Sequence, residues 1–222
     1  MNADAYLFDI DGTLVVTRDL VHWNGLCRAM REAYGVETTI EGIAYHGKTD
    51  VGILRAALER CGISGNRFEQ SLPLALAVIC REVAEHAQSI RADVCPAVPD
   101  LLASLRQGGK LLGVASGNLE TVGWHKLKAA RLREFFSFGS FGDRFEARAA
   151  IFDHALAEAR RRLGTQDSVC FLGDTPADID AARQVGAAVA AISTGIFSRQ
   201  ELAACNPDLC CSSCAELLGH LQ

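Results

Sequence analysis

The chain has 222 residues, enough for one large domain or one domain carrying an insert, and enough to bury about 70% of its unfolded surface. Apolar residues make up 49% and charged residues 22%, which excludes a disordered or low-complexity chain. The net charge of −5 argues against a broad nucleic-acid or anionic-membrane surface, but not against a small basic pocket.

The opening MNADAYLFDIDGT has Asp4 where a signal peptide would be basic, and Asp9 and Asp11 interrupt its apolar run. No apolar stretch reaches the length of a membrane span. The expectation is a cytoplasmic protein with no membrane partner. Residues 5–9 read as a buried strand ended by Asp-Gly. Residues 16–95 then break the pattern, with helices expected over 19–34, 49–60 and 68–88. Beyond them, strands are expected at 110–115, 168–173, 187–192 and 207–211. Helices are expected at 98–107, 119–130, 149–163, 177–184 and 215–218, with Gly108-Gly109 and Gly164 as stops. Continuous apolar strands alternating with helices predict an α/β fold, a Rossmann-like doubly wound parallel sheet covered on both faces. The expected division is a core of residues 1–15 and 96–222 and a helical cap of 16–95, inserted after the first strand. Such an insert sits over the carboxyl ends of the strands, where open α/β sheets bind ligands.

Nine cysteines is an odd number, and the chain is long for a disulfide framework. The cluster Cys205, Cys210, Cys211 and Cys214 lacks paired CxxC spacing and a histidine at a ligand interval, so it reads as small buried hydrophobes.

Three polar groups fall at the ends of three strands, and a parallel sheet brings such ends to one edge. The first is Asp9-Ile10-Asp11-Gly12-Thr13-Leu14. One carboxylate there can act as a nucleophile and the other can carry a proton, while Gly12 allows the sharp exit of the chain. A calcium loop would require Glu at its twelfth position, and that position is Leu20. The second is Ser116-Gly117-Asn118, a hydroxyl before the free N–H groups of a helix start, suited to an oxyanion or phosphate or else to a simple helix cap. The third is Gly173-Asp174-Thr175-Pro176-Ala177-Asp178, a hard oxygen site suited to Mg²⁺. Arg148, with Arg144 as competitor, offers the cation that a phosphate among carboxylates needs.

In this order the residues resemble the haloacid dehalogenase-like superfamily over nearly the whole chain. Asp9 to Leu14, Ser116, Arg148 and Gly173 to Asp178 are similar to its four motifs, although Arg148-Ala149 stands where Lys, often with Pro, is common. The stretches around His46-Gly47-Lys48-Thr49-Asp50, Cys95-Pro96 and Phe141-Gly142-Asp143-Arg144 resemble phosphoglycolate-phosphatase-like members.

The resemblance implies a phosphatase for a small phosphorylated metabolite. Asp9 would be the nucleophile and form an aspartyl-phosphate, and Asp11 the acid and then the base. Mg²⁺ would be held by Asp9, the Asp11 backbone carbonyl and Asp174, with Asp178 orienting its waters. Ser116, Gly117 and Arg148 would hold phosphoryl oxygens. Gly12, Thr13 and Asn118 would join the phosphate or substrate contacts, as would His46 and Lys48 from the cap. For Lys48 a solvated helix start capped by Thr49 or Asp50 is the plainer reading, and for Trp23 a place in the cap's core. The run Arg160-Arg161-Arg162 complements a helix terminus rather than nucleic acid. A phosphomutase of the beta-phosphoglucomutase type would share every core residue. A 2-haloacid dehalogenase would need neither Asp11 nor the Asp174/Asp178 pair. A receiver-like signalling module would carry its acceptor on a later strand, and a silent binder has no use for Asp11. The expected assembly is a monomer or homodimer.

Overall fold

The computed structural model describes residues 2–163 and 168–221, so the expected helix stop at Gly164 lies outside the described residues. Six strands form one parallel sheet: β1 (Ala5–Phe8), β4 (Leu111–Ala115), β5 (Phe138–Ser140), β6 (Val169–Gly173), β7 (Ala188–Ile192) and β8 (Leu209–Cys211). Their order across the sheet is β5-β4-β1-β6-β7-β8. The chain works outward from β1 through β4 to β5, then returns to lay β6 on the other flank of β1. The reversal places a crevice at the carboxyl ends of β1, β4 and β6, where such sheets bind ligands.

The strands are apolar on both faces because both faces are covered. In β1, Tyr6 and Phe8 join a layer completed by α4 (Val98–Gln107) and α9 (Cys214–Leu221). Ala5 and Leu7 face the layer of α6 (Arg148–Leu163) and α7 (Pro176–Gln184), where Phe152 stacks on Phe171 at 4.2 Å between ring centres. This is the doubly wound architecture expected from the alternating pattern.

Residues between β1 and α4 build a second hydrophobic cluster. A short antiparallel ribbon of β2 (Val15–Thr17) and β3 (Ala92–Val94) leads out and back, pairing Val15 with Val94. Between them lie α1 (Val21–Tyr34), α2 (Asp50–Glu59) and α3 (Gly65–Glu85). Leu26, Met30 and Tyr34 of α1 pack with Phe68, Val78 and Ile79 of α3, and the Tyr34 hydroxyl donates to the Phe68 carbonyl at 3.0 Å. The same cluster takes in Leu119 and Val122 beside and within α5 (Glu120–Ala129), so apolar packing joins the helical insert to the sheet layer.

Several short elements were not foreseen. β5, β2 and β3 have three residues each, too few for periodicity to register, and β5 carries Gly139 at its centre. α8 (Arg199–Ala204) has six residues, started by a capping box of Ser198 and Glu201. α3 begins three residues before the expected start and carries Pro73 in its interior.

Cys95, Cys170, Cys211 and Cys214 are buried, and none of the nine cysteines is joined in a disulfide among the described residues. Although no histidine sits at a ligand interval in the sequence, the helical spacing of Glu216 and His220 brings their ligand atoms within 4.8 Å of Cys211. The Glu216 carboxylate is already engaged by Ser212 and Arg199. Among the described residues no helix is long and apolar enough to cross a membrane.

Candidate active site

Asp9 continues the pairing of β1, its N–H donating to the Leu172 carbonyl at 2.9 Å. Ile10 and Leu14 are fully buried and anchor the turn that follows. The turn needs a residue without a side chain at its apex. Gly12 has φ +84°, and a Cβ there would lie 2.2 Å from Asp174 Oδ2. Thr13 is fully buried and its hydroxyl donates to Asp174 Oδ1 at 3.0 Å. That hydroxyl therefore orients a carboxylate, and Thr13 is not among the residues that line the cavity.

Asp174 follows β6 and Asp178 lies in the first turn of α7. Thr175 caps α7, with its own N–H and hydroxyl donating to Asp178 Oδ2 at 3.0 and 2.7 Å and Pro176 as the first helical residue. Arg148 opens α6 and donates through Nε to Asp178 Oδ1 at 2.7 Å. Its buried Nη2 is ion-paired with both Asp178 Oδ1 at 2.5 Å and Asp9 Oδ2 at 2.9 Å, although neither contact is aligned as a hydrogen bond among the described residues. Arg144 is exposed in the loop before α6, so the fold selects Arg148.

Asp9, Asp174 and Asp178 are all buried and can bring carboxylate oxygens within 4.8 Å of one another. Burial pushes the pKa of Asp9 up, opposed by Arg148 and reinforced by the neighbouring acids. Asp174 is raised by burial and then by Asp178 and Asp9. Burial works against the Arg148 charge, but Asp178 and Asp9 overcome it and hold the guanidinium firmly protonated. Hard oxygen donors around an unbalanced negative charge, with a single guanidinium shared between Asp9 and Asp178, fit a divalent cation such as Mg²⁺ and an anionic group. Asp178 already has both oxygens engaged, so Asp9 and Asp174 are the better candidates for direct ligation.

Asp11 has a different environment. Its Oδ2 accepts from Asn118 Nδ2 at 2.8 Å and Lys126 Nζ at 2.7 Å, and Oδ1 accepts from the Thr17 hydroxyl at 3.1 Å. Burial alone would raise its pKa, but the Lys126 charge and these donors outweigh it and hold the group at about 2. Lys126 was missed in the sequence reading. Its signal is its place on the buried face of α5, four residues after Val122, three after Gly123 and just before Leu127. Asn118 also donates to Ser116 Oγ at 3.0 Å, so its amide serves Asp11 and Ser116.

Ser116 is buried at the end of β4, its N–H donating to the Ser140 carbonyl. It does not cap α5, contrary to one expectation. The helix starts at Glu120, and the N–H of its cap residue Leu119 donates to Asp50 Oδ2 at 2.8 Å. Gly117 is needed for close approach, since a Cβ there would lie 2.7 Å from the Lys48 carbonyl oxygen. Its own carbonyl accepts from the Asp50 N–H at 2.9 Å.

These groups line a cavity of about 500 Å³ roofed by the helical insert. His46 and Lys48 are exposed residues on its rim and wall. Thr49 caps α2 by accepting from the Gly52 N–H. Trp23 lines the cavity as well, edge-on to Tyr45, which packs against His46 with 4.3 Å between ring centres. Trp23 thus packs against the hydrophobic cluster of the insert, as expected, and also lines the cavity. Tyr45 and the His22–Asp50 pair, 3.1 Å apart, were not foreseen as parts of this region.

The sequence pattern of the haloacid dehalogenase-like hydrolases matches residues 6–192. Phosphoglycolate phosphatase of Synechococcus elongatus is 29% identical over 215 residues, covering 96% of this chain and 95% of that protein. Among solved structures, CbbY from Rhodobacter sphaeroides in complex with phosphate superposes with a TM-score of 0.70 at 20% identity, covering 97% of this chain and 96% of that one. A predicted phosphoglycolate phosphatase from Haemophilus somnus gives 0.69 at 19%, covering 99% and 98%. These two share the fold. The match to the family pattern spans β1 to β7 and includes the ends of β1, β4 and β6, which supply Asp9, Ser116 and Asp174 to the cavity. The chain belongs to the haloacid dehalogenase-like hydrolase family.

Proposed function

We propose that the protein is a Mg²⁺-dependent phosphatase of small phosphomonoesters acting through an aspartyl-phosphate on Asp9. The observation that carries this reading is the division of labour in the cavity: a buried Asp9 among carboxylates that invite a cation, and two residues on an Asp11 bound by its own donors. Asp9, Asp174 and the Asp11 carbonyl would hold Mg²⁺, which when bound would supply positive charge to the phosphoryl oxygens. Arg148, now shared between Asp9 and Asp178, would offer its guanidinium to the same oxygens, joined by the Ser116 hydroxyl and the Gly117 N–H.

An Asp9 oxygen would attack phosphorus as the bond to the leaving alkoxide breaks. Asp11 would take up a proton as the substrate binds, give it to the alkoxide as that group leaves, and then take one from the water that attacks the aspartyl-phosphate and frees Asp9. The charge partners of Asp11 keep the returned carboxylate ready for the second step. The helical insert would exclude bulk water and surround the leaving group. The name of the Synechococcus relative puts 2-phosphoglycolate first among substrates to try.

The test is phosphate release from a panel of phosphomonoesters with Mg²⁺ or EDTA, with Asp9→Asn alongside. Metal-dependent release lost in the variant is expected. No release from any substrate by the wild type would sink the reading.

A further inference from the structure

Lys126 enters the mechanism above only as a charge beside Asp11. It is only 4% exposed, on a helix whose other buried residues are Val122, Gly123 and Leu127. An ammonium placed among apolar groups is costly unless it is paired and hydrogen-bonded. Both partners of Lys126 lie in the cavity: Asp11 Oδ2 at 2.7 Å and Asn118 Oδ1 at 2.9 Å. Asn118 closes the figure by donating to the same Asp11 oxygen at 2.8 Å.

From this geometry we infer that Lys126 is a positioning residue, which together with Asn118 clamps one oxygen of Asp11 so that the other is presented for proton transfer. The inference rests on the phosphatase reading of the site. Oδ2 receives two donors from two directions, which fixes both the place and the plane of the carboxylate. Oδ1 has a single partner, the Thr17 hydroxyl at 3.1 Å, on the ribbon that leads to the helical insert. A hydroxyl can rotate and exchange partners, whereas an ammonium held by two oxygens in a buried place is fixed. Oδ1 is therefore the working oxygen. The clamp also ties Asp11 to Ser116 through the Asn118 amide, so the acid–base group and a phosphoryl-binding group share one network. A lysine serving only the fold would have no reason to spend its contacts on these residues, and the exposed Lys128 of the same helix needs none.

The test is a double-mutant cycle. Phosphate release would be measured for wild type, Lys126→Met, Asp11→Asn and the double variant, with Asp9→Asn as the blank and thermal unfolding as the check on folding. Lys126→Met is expected to lower kcat by about 10- to 100-fold, the usual cost of removing a group that orients a ligand or catalytic residue, with KM little changed. In the Asp11→Asn background the same change should cost less than about 2-fold, because the residue it acts through is already disabled. An equal loss in both backgrounds, or no loss in either, would overturn the assignment while leaving the phosphatase reading intact. A wild type no more active than Asp9→Asn would overturn both. If Lys126→Met does not fold, Lys126→Gln, which keeps a donor and a similar length, enters the same cycle with the same criteria.

Discussion

Asp9 and Asp11 stand two residues apart on one turn, and their surroundings push them in opposite directions. Burial penalises the charge of both. What differs is the balance of partners. Around Asp9, the carboxylates of Asp9, Asp174 and Asp178 share the single guanidinium of Arg148, leaving two negative charges in excess if all are ionised. Around Asp11, one carboxylate faces one ammonium and an amide donor. The first arrangement lacks exactly the charge of one divalent cation, while the second is complete as it stands. Two carboxyls of the same chemical type are thereby separated by their neighbours: Asp9 needs a bound cation to become the carboxylate a nucleophile must be, while Asp11 is held as the carboxylate that can take a proton from water.

The largest effect should come from removing the nucleophile. Asp9→Asn keeps the shape of the side chain and should reduce phosphate release by at least about 10⁴-fold, with no trapped phosphoprotein after rapid acid quench. Asp11→Asn should cost less, about 10² to 10⁴ in kcat, the span of a general acid–base group. The comparison breaks if the two variants are equally dead on a substrate with an acidic leaving group such as para-nitrophenyl phosphate. Such a leaving group needs little protonation, so Asp11→Asn should retain more activity on it than on an alkyl phosphate.

Stability should separate the two environments by sign. Folding raises the pKa of Asp9 and Asp174 above 3.8, so they favour the fold while protonated, and that contribution is lost as the pH climbs through the raised values. Folding lowers Asp11 to about 2, so its contribution is present above 3.8 and lost as the pH falls toward 2. Without metal at pH 8, Asp174→Asn should therefore raise the melting temperature by a few degrees, whereas Asp11→Asn should lower it, with about 2–4 °C expected per kcal/mol in a chain of this size. Added Mg²⁺ should stabilise the wild type more at pH 8 than at pH 5 and do little for Asp174→Asn. A metal-free Asp174→Asn less stable than wild type at pH 8 would mean that the cluster is not short of positive charge.

The parts of this site legible in the sequence are those tied to strand ends. Asp9, Asp11, Asp174 and Ser116 each follow an apolar run, and a parallel sheet leaves such positions only one edge to occupy. The doubly wound core and its helical insert were legible for the same reason, since long apolar strands and amphipathic helices carry their period on the chain. Partners set by the third dimension were not legible. Nothing in the order of residues says that the Thr13 hydroxyl turns to Asp174, or that Asn118 turns to Asp11. Arg148 and Arg144 are four residues apart in sequence, and the start of α6 decides between them. Lys126 sits in His125-Lys126-Leu127-Lys128, where it looks like any solvated lysine until the helix is rotated so that Val122 and Leu127 face inward. The cavity wall collects Trp23 from α1 and Tyr45 from the loop before α2, a pairing no local pattern encodes.

The smallest effect should belong to charges outside the cavity, and it shows why enclosure matters. Arg55 of α2 reaches across to the core, donating through Nε and Nη2 to the two oxygens of Glu146 at 2.6 and 2.7 Å, and it also meets Glu69. In geometry this pair is as good as Lys126 with Asp11. Its setting differs at the cation, because the Arg55 and Glu146 side chains are 28% and 38% exposed, whereas Lys126 is 5% exposed beside an Asp11 that is 42% exposed. Water and salt screen the first pair, which limits its worth to about 1 kcal/mol or less. The Arg55 stem also covers Phe68, with its guanidinium carbon 4.1 Å from the ring centre, so Arg55→Met is a better probe than truncation to Ala. That variant should lower the melting temperature slightly, by an amount that shrinks in 0.5 M salt, and change kcat by less than about 2-fold. A loss of turnover comparable to that of Lys126→Met would show that the insert's hold on the core, and not the buried charge of Lys126 on Asp11, governs the chemistry.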